Sequence, residues 1–164
     1  MQLPTLKDKH MKDIKGCLSH ITDDWCTPSQ LYDAFMDHGF IDPCPLKATF
    51  DGLQKDYYGK NLFVNPPFSQ LSTWVDWCLK QVENNCNVWL LMPSRTDTKY
   101  FVKMLVFHPT IVFIEGRLHF NDTKSVAPFP TLLVNLCKGY FVNLYHSMTL
   151  SCFIDRLDFI YGKR

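Results

Sequence analysis

The sequence predicts an α/β fold in which a mixed, mostly parallel sheet carries helices on both faces. The chain has 164 residues, the usual size of one domain with a single hydrophobic core. Apolar residues make up 46% and charged residues 20% of it, which excludes a disordered chain, a collagen-like chain and a coiled coil. Apolar runs of strand length alternate with helical patterns, and this alternation predicts the sheet with its covering helices.

Residues 1–24 are polar, mixed in charge and only weakly periodic, which predicts an N-terminal arm, and residues 25–164 are predicted to form one domain. Leu31, Phe35 and Met36 repeat at helical spacing and predict a helix over about 29–38. The other predicted elements are strands at Phe40-Ile41, Leu62–Val64, Val88–Met92, Ile111–Ile114, Thr131–Leu136 and Phe141–Leu144, and helices from near Ser69 and within Thr98–Val106. The segment 137–164 packs on the core or on a partner.

Charge and cysteine content narrow the classes of function. Lys plus Arg is 17 and Asp plus Glu is 16, so a nucleic acid has to be held by a local basic patch. The seven cysteines are odd in number and show no C-x-x-C pair, which indicates reduced thiols in an intracellular protein. Histidine spacing indicates no metal site. No signal-peptide or membrane-span pattern is present, so we expect a cytoplasmic protein.

The tetrapeptide Asn65-Pro66-Pro67-Phe68 is the most informative motif, because it follows a predicted strand and precedes a helix. The two prolines fix the backbone and remove two N–H donors, which leaves a rigid cluster of acceptors. The Asn65 side-chain carbonyl and the Pro66 main-chain carbonyl can each accept one hydrogen of an exocyclic amino group. Phe68 can stack on the ring that carries that amine. The alternative is a tight turn that caps the strand, with Asn65 bonded to backbone.

Segments spread from Trp25 to Asn135 resemble the phage-type Dam-like DNA N6-adenine methyltransferases in order and spacing. They are Trp25-Cys26-Thr27-Pro28, Ile41-Asp42-Pro43-Cys44, Asp51-Gly52-Leu53, Val64-Asn65-Pro66-Pro67-Phe68, Arg95-Thr96-Asp97-Thr98, Gly116-Arg117-Leu118-His119-Phe120 and Ala127-Pro128-Phe129-Pro130. The resemblance implies a compact Rossmann-like fold, S-adenosylmethionine as cofactor and DNA as partner. It also implies methyl transfer to the N6 of an adenine that is flipped into a pocket built by the tetrapeptide.

The resemblance further implies a cofactor site. Its residues are Trp25, Thr27, Pro28, Asp42, Pro43, Cys44, Asp51 and Leu53. Thr27 and Pro28 correspond to the segment beside the methionine part of the cofactor, and the Asp42 carboxylate pairs with the methionine ammonium. The Asp51 carboxylate accepts from the cofactor's adenine amine, and Leu53 packs on that ring. Thr27-Pro28 is equally typical of a helix start with Thr27 as N-cap, and Asp42 of a turn at the end of a strand.

A second group of residues is expected to contact DNA. It consists of Arg95, Lys99, Arg117, His119, Phe120 and Lys124. Arg95 follows a strand and is placed to meet a phosphate or the target nucleotide, although a purely structural role explains it equally well. His119 or Phe120 is expected to be the second aromatic ring against the flipped base. The three other cations, with Lys103, form the local basic patch. For any one of these lysines taken alone, a solvated surface is the better explanation.

Two other functions stay open at this point. Methyltransferases of RNA bases or of protein glutamine amides also use this tetrapeptide, because all three substrates present an NH₂ on a planar group. The other alternative is a catalytically silent DNA-binding protein on the same scaffold. It is motivated by the lack of a glycine-rich turn after Cys44 and by the mere six residues between Cys44 and Asp51. The recognition sequence and the oligomeric state are not predicted.

Overall fold

The computed structural model describes residues 25–120, 126–139 and 144–162; the predicted arm over 1–24 lies outside them. The helices are α1 (Ser29–Asp37), α2 (Leu71–Glu83), α3 (Lys99–Leu105) and α4 (Leu150–Tyr161). The strands are β1 (Asn61–Val64), β2 (Asn87–Pro93), β3 (Thr110–Ile114), β4 (Thr131–Leu136) and β5 (Leu144–Met148). Short 3₁₀ helices occur at Gly52–Gln54 and Phe68–Gln70. Within the described ranges no helix is long and apolar enough to cross a membrane.

The described strands form a mixed sheet in the order β1-β2-β4-β3-β5. β1 pairs with β2 and β3 with β5 in parallel, whereas β4 runs antiparallel to both of its neighbours, β2 and β3. The predicted α/β class and mixed sheet are confirmed, but the expectation of a mostly parallel sheet is partly wrong because half of these pairings are antiparallel. A central strand that is buried on both faces has the same apolar sequence in either direction, so its pattern did not reveal the reversal of β4.

Helices cover both faces of the sheet. Phe63 of β1 and Trp89 of β2 are paired in register and lie on one face. Phe35 of α1 stacks on Phe63 with ring centroids 4.2 Å apart, and Phe153 of α4 contacts Trp89 at 5.2 Å. α2 packs against β2 and β4, and α3 packs against α2. Because α1 and α4 occupy the Phe63 face, α2 covers the alternate, equally buried side chains of the same strands.

The predicted strand at Phe40-Ile41 is reduced to one parallel bridge between Ile41 and Leu62. The two prolines that follow, Pro43 and Pro45, prevent the strand from continuing. The chain therefore leaves the sheet at Asp42, beside the end of β1, and makes turns before the next 3₁₀ helix. The predicted strand at Phe141–Leu144 overlaps β5 only at its last residue, and residues 141–143 lie outside the described ranges.

The C-terminal helix α4 packs on the core, one of the two placements open from sequence. Phe153 and Leu157 are buried, whereas Phe159 is 88% exposed. Asp158 and the buried His38 at the end of α1 are joined by a hydrogen bond of 3.0 Å between Nε2 and Oδ1. The Tyr161 hydroxyl accepts hydrogen bonds from two side chains of β2. These contacts fix α4 to α1 and to β2.

Candidate active site

A cavity of about 620 Å³ lies where the chain leaves the sheet at Asp42 and at the end of β1. Its volume is within the range of about 300–1,000 Å³ that is usual for small-molecule sites. The carboxyl ends of parallel strands are where ligands bind in open α/β sheets. The described lining residues are Trp25, Cys26, Thr27, Ser29, Tyr32, Asp33, Asp42, Pro43, Cys44, Pro45, Leu46, Lys47, Ala48, Phe50, Asp51, Gly52, Leu53, Asn65, Pro67, Gln70 and Trp74.

The cavity brings together nearly all of the predicted cofactor residues and half of the tetrapeptide. Every predicted cofactor residue except Pro28 lines it, and so do Asn65 and Pro67 of the tetrapeptide, but Pro66 and Phe68 do not. The contribution of α1 to the cavity was not predicted from the sequence. Ser29, Tyr32 and Asp33 follow one another at helical spacing and share the face that borders the cavity, so their three- and four-residue spacing was the signal available.

The side chain of Asn65 is held in one orientation. Its Nδ2 donates hydrogen bonds to the main-chain carbonyl of Trp25 at 2.6 Å and to Oγ1 of Thr27 at 2.9 Å. A main-chain carbonyl can only accept, so the Trp25 contact fixes which end of the amide faces it. Oδ1 of Asn65 is buried and has no hydrogen-bond partner among the described residues. Such buried acceptors are rare, and each costs roughly 1–3 kcal/mol until a donor arrives.

Thr27 does not cap α1, and the expectation that it does is wrong. Pro28 occupies the N-cap position instead, and no side chain makes a capping hydrogen bond there. The Thr27 side chain is buried and its hydroxyl bonds to Asn65. Its hydroxyl is therefore committed to the end of β1, not to the start of its own helix.

The acidic walls of the cavity favour a cation. Asp33, Asp42 and Asp51 line it, and Lys47 is the basic residue among the described lining residues. Burial raises the pKa of Asp42 to about 6, although the hydrogen bond from the Cys44 main-chain N–H, at 2.8 Å, lowers it in part. A positively charged group beside Asp42 would reverse the effect of burial and stabilise the carboxylate.

Asp51 starts the short 3₁₀ helix Gly52–Gln54 and also lines the cavity. Its Oδ1 accepts a hydrogen bond of 3.0 Å from the main-chain N–H of Leu53, while the side chain stays exposed. Gly52 is buried and lies against the backbone of Pro43. The segments that carry the Asp42 and Asp51 carboxylates are thus in backbone contact, which holds them next to each other in the cavity lining.

Phe68 lies in a cluster of four aromatic rings, outside the cavity lining. The Trp25 ring is nearly parallel to the Phe68 ring, at a centroid distance of 6.2 Å and an angle of 19°. The edges of Phe120 and Phe129 meet both of these rings. Phe68 and Phe120 are consequently buried. Phe129, the fourth ring of the cluster, was not among the site residues predicted from the sequence. Because the Trp25 ring covers one face of Phe68, the two rings have to separate before a base can stack on that face.

The residues expected to contact DNA follow the carboxyl ends of two further strands. Arg95 and Lys99 come after β2, and Arg117 and His119 come after β3. β2 and β3 run in the direction of β1, so all four residues lie at the sheet edge that carries Asn65. None of the four lines the cavity. Lys99, Arg117 and His119 are exposed, and Arg95 is half-buried. Lys124 lies outside the described residues.

Lys103, which sequence analysis added to the basic patch, is engaged elsewhere. Its Nζ lies 2.5 Å from Oδ1 of Asp76 on α2. A lysine that forms an ion pair with a carboxylate brings no net charge to a phosphate. Lys103 is therefore a poor member of the patch.

The structure is thus that of an α/β protein with an acidic, ligand-sized cavity at the carboxyl ends of parallel strands, beside a loop whose Asn65 amide is held in one orientation. The chain belongs to the DNA N-6-adenine-methyltransferase (Dam) family, whose model matches residues 16–131. The prediction of a Dam-like family from the motifs is thereby confirmed. No curated protein sequence matches the chain significantly.

The chain is also similar to a solved structure described as a predicted O-methyltransferase, Atu636 from Agrobacterium tumefaciens. The sequence identity is 15% and the TM-score is 0.43. The match covers 70% of this chain and 57% of the other, so the chain spans somewhat over half the length of that protein.

Proposed function

We propose that this protein transfers the methyl group of S-adenosylmethionine to the exocyclic N6 of adenine in DNA. Membership of the Dam family supports the reaction and the substrate. The observation that carries the proposal is the buried Oδ1 of Asn65, which lacks a partner while Nδ2 has two. An acceptor held in this way needs an N–H donor from outside the protein, and an amino group supplies one.

The residues of the cavity fit the cofactor. The Asp42 carboxylate would pair with the methionine ammonium, and the Asp51 carboxylate would accept from the adenine amine. Leu53, which is half-buried beside Asp51, offers an apolar surface to the adenine ring. When bound, the cofactor supplies an electrophilic methyl group on a sulfonium, and its net positive charge matches the acidic lining.

The tetrapeptide prepares the target amine. Asn65 Oδ1 and the Pro66 carbonyl each accept one N6 hydrogen, which draws the nitrogen towards tetrahedral geometry and exposes its lone pair. Because Pro66 and Pro67 fix the backbone, the acceptors need no reorganisation when the reaction begins. The chain thus contributes orientation, and no covalent intermediate with the protein is required.

A duplex base has to leave the stack to reach Asn65, at a cost of a few kcal/mol. The Phe68 face that would receive it is covered by Trp25. Trp25 is only half-buried, whereas Phe68 and Phe120 are buried. The Trp25 ring is therefore the one that moves aside, so that the base takes its place on Phe68. Arg95, Lys99 and Arg117 would hold phosphates at the same edge of the sheet.

Transfer of a labelled methyl group to adenine-containing DNA, to RNA and to glutamine-containing peptides, measured side by side, tests the proposal. We expect incorporation into DNA adenine and a loss of at least about 10²-fold in kcat for Asn65→Ala, by analogy with one lost preorganised hydrogen bond. Gln54→Ala, which removes an exposed amide outside the cavity lining, is the matched control and should keep full activity.

Each other outcome has a defined meaning. Incorporation into RNA alone or into peptide alone would mean that this molecule, and not DNA, is the substrate. Failure to bind S-adenosylmethionine at millimolar concentration would favour the silent DNA-binding scaffold. Full activity of a folded Asn65→Ala protein would show that the tetrapeptide does not take part in the reaction.

A further inference from the structure

We infer that Thr27 is a positioning residue, whose hydroxyl holds the Asn65 amide so that Oδ1 faces the target amine. The inference rests on the proposed function, since it assigns to Thr27 a part in the same reaction. In this role Thr27 acts on the reacting amine indirectly, through its hydrogen bond to Asn65. The role therefore differs from the cofactor contact that the family resemblance implies. The two roles predict different kinetic effects.

Both hydrogens of the Asn65 amide nitrogen are used inside the protein. One goes to the Trp25 carbonyl at 2.6 Å and the other to the Thr27 hydroxyl at 2.9 Å. Donation of both hydrogens draws electron density towards Oδ1 and makes it a stronger acceptor, because linked hydrogen bonds polarise one another. The rotation of the amide is fixed at the same time, since a flip would place Oδ1 against the Trp25 carbonyl oxygen.

The burial and backbone setting of Thr27 support this role. The residue is 8% exposed, so water does not compete easily for its hydroxyl. Pro28 takes the N-cap position of α1 without any side-chain cap, which leaves the Thr27 hydroxyl free of the duty that threonine often has at a helix start. Thr27 lies 38 residues before Asn65 and bonds to it directly. The segment before α1 is thereby tied to the catalytic loop.

Thr27→Val and Thr27→Ser separate positioning from cofactor contact. Valine keeps the shape and removes the hydroxyl, and we expect kcat to fall by about 10–100-fold, as on loss of an outer-shell partner elsewhere. The Kd for S-adenosylmethionine should stay within about twofold of the wild type, because valine keeps the shape of this part of the cavity lining. Serine restores the acceptor and should recover most of kcat. If Thr27→Val instead weakens cofactor binding at unchanged kcat, the positioning role is wrong.

Thr131→Val is the matched control. Thr131 is 2% exposed, and its hydroxyl has no partner in the described part of the structure. Its replacement by valine removes a buried hydroxyl that makes no hydrogen bond to the described residues, so kcat should be unchanged. A kcat loss in Thr131→Val as large as that in Thr27→Val would attribute both losses to general perturbation, and would overturn the inference.

The side-chain amide signals of isotope-labelled asparagine give a readout that does not need activity. The Asn65 signals are assigned by their absence from Asn65→Asp. In Thr27→Val, one of the two Asn65 amide hydrogens should move upfield and exchange faster with water, and in Thr27→Ser both should stay near their wild-type positions. Unchanged signals in Thr27→Val would show that Thr27 does not hold the amide. If the wild type methylates nothing, the proposed function fails, and this measurement still decides the role of Thr27.

Discussion

Gly52 and Pro43 are in direct backbone contact across the wall of the cavity. A Cβ at position 52 would lie 1.9 Å from the carbonyl oxygen of Pro43 and 3.0 Å from a ring carbon of Trp74. No residue other than glycine fits there without movement of the backbone. The contact closes the short path between Cys44 and Asp51 and holds Asp42 and Asp51 on neighbouring walls.

Gly52→Ala should destabilise the protein and widen the cavity. The methyl group would meet rigid backbone, and overpacking of this kind costs about 1–3 kcal/mol. Urea unfolding measures the loss, and calorimetry should show weaker binding of S-adenosylmethionine. Gly59→Asn is the control: the space at Gly59 is open and asparagine tolerates its φ of 62°. An equal loss in both variants would mean that the Pro43 contact has no special role.

Asp42→Asn should raise the stability of the ligand-free protein near neutral pH. Burial raises the pKa of Asp42 to about 6 from its ordinary value of 3.8, so the folded state holds this proton more tightly than the unfolded state does. The free energy of unfolding of the wild type therefore falls by on the order of 2–3 kcal/mol as the pH rises from about 4 to about 6, and it does not recover at higher pH. Asparagine removes this loss and can still accept from Cys44. Thermal melts across this pH range should show the wild-type slope flattened in the variant.

The same carboxylate should make cofactor affinity depend on pH. A cationic ligand binds the ionised form of Asp42, whose pKa in the free protein is about 6. We expect the Kd for S-adenosylmethionine to be constant at neutral pH and to rise below about pH 6, by up to about tenfold per pH unit. Asp42→Asn should bind weakly, with this pH dependence lost. A pH-independent affinity in the wild type would place the ammonium elsewhere.

Phe68→Leu and Phe68→Ala should differ in stability but agree in their effect on DNA. The Phe68 ring is 8% exposed within the aromatic cluster, so alanine should cost about 3–5 kcal/mol, and leucine should cost less because it fills more of the space. Both remove the stacking surface, worth about 1–3 kcal/mol per base, and should lower kcat/KM for DNA. Normal kcat/KM in a folded Phe68→Leu would exclude stacking of the base on this ring.

Lys99→Ala and Lys103→Ala should affect DNA binding unequally. Lys99 is exposed after β2, whereas Lys103 forms an ion pair with Asp76. Loss of one phosphate contact reduces the slope of log affinity against log salt concentration by about 0.9. We expect this reduction in Lys99→Ala and an unchanged slope in Lys103→Ala. The opposite result would move the DNA-binding surface from the strand edge to the α2 side of α3.

The family and the positions of most elements could be predicted from the sequence, because both depend on local patterns. Apolar runs such as Val88–Met92 mark buried strands wherever the chain places them, and Asn65-Pro66-Pro67-Phe68 identifies a strand-end loop by its residues alone. For the loop that joins Cys44 to Asp51, the sequence predicted the length but not the conformation. Its closure depends on Gly52, whose role became visible once Pro43 lay against it.

The tertiary structure decided what depends on distant partners. The sequence of β4 does not record its direction, which is set by pairing with β2 and β3 on either side. Likewise, nothing near Asn65 in the sequence shows that its amide is held by Trp25 and Thr27, some 40 residues earlier. The same holds for the burial of Phe68 under Trp25. Local sequence selects backbone conformation and burial, but hydrogen-bond partners and ring contacts form only when folding brings remote segments together, and these contacts determine which atom of the loop is left to meet a substrate.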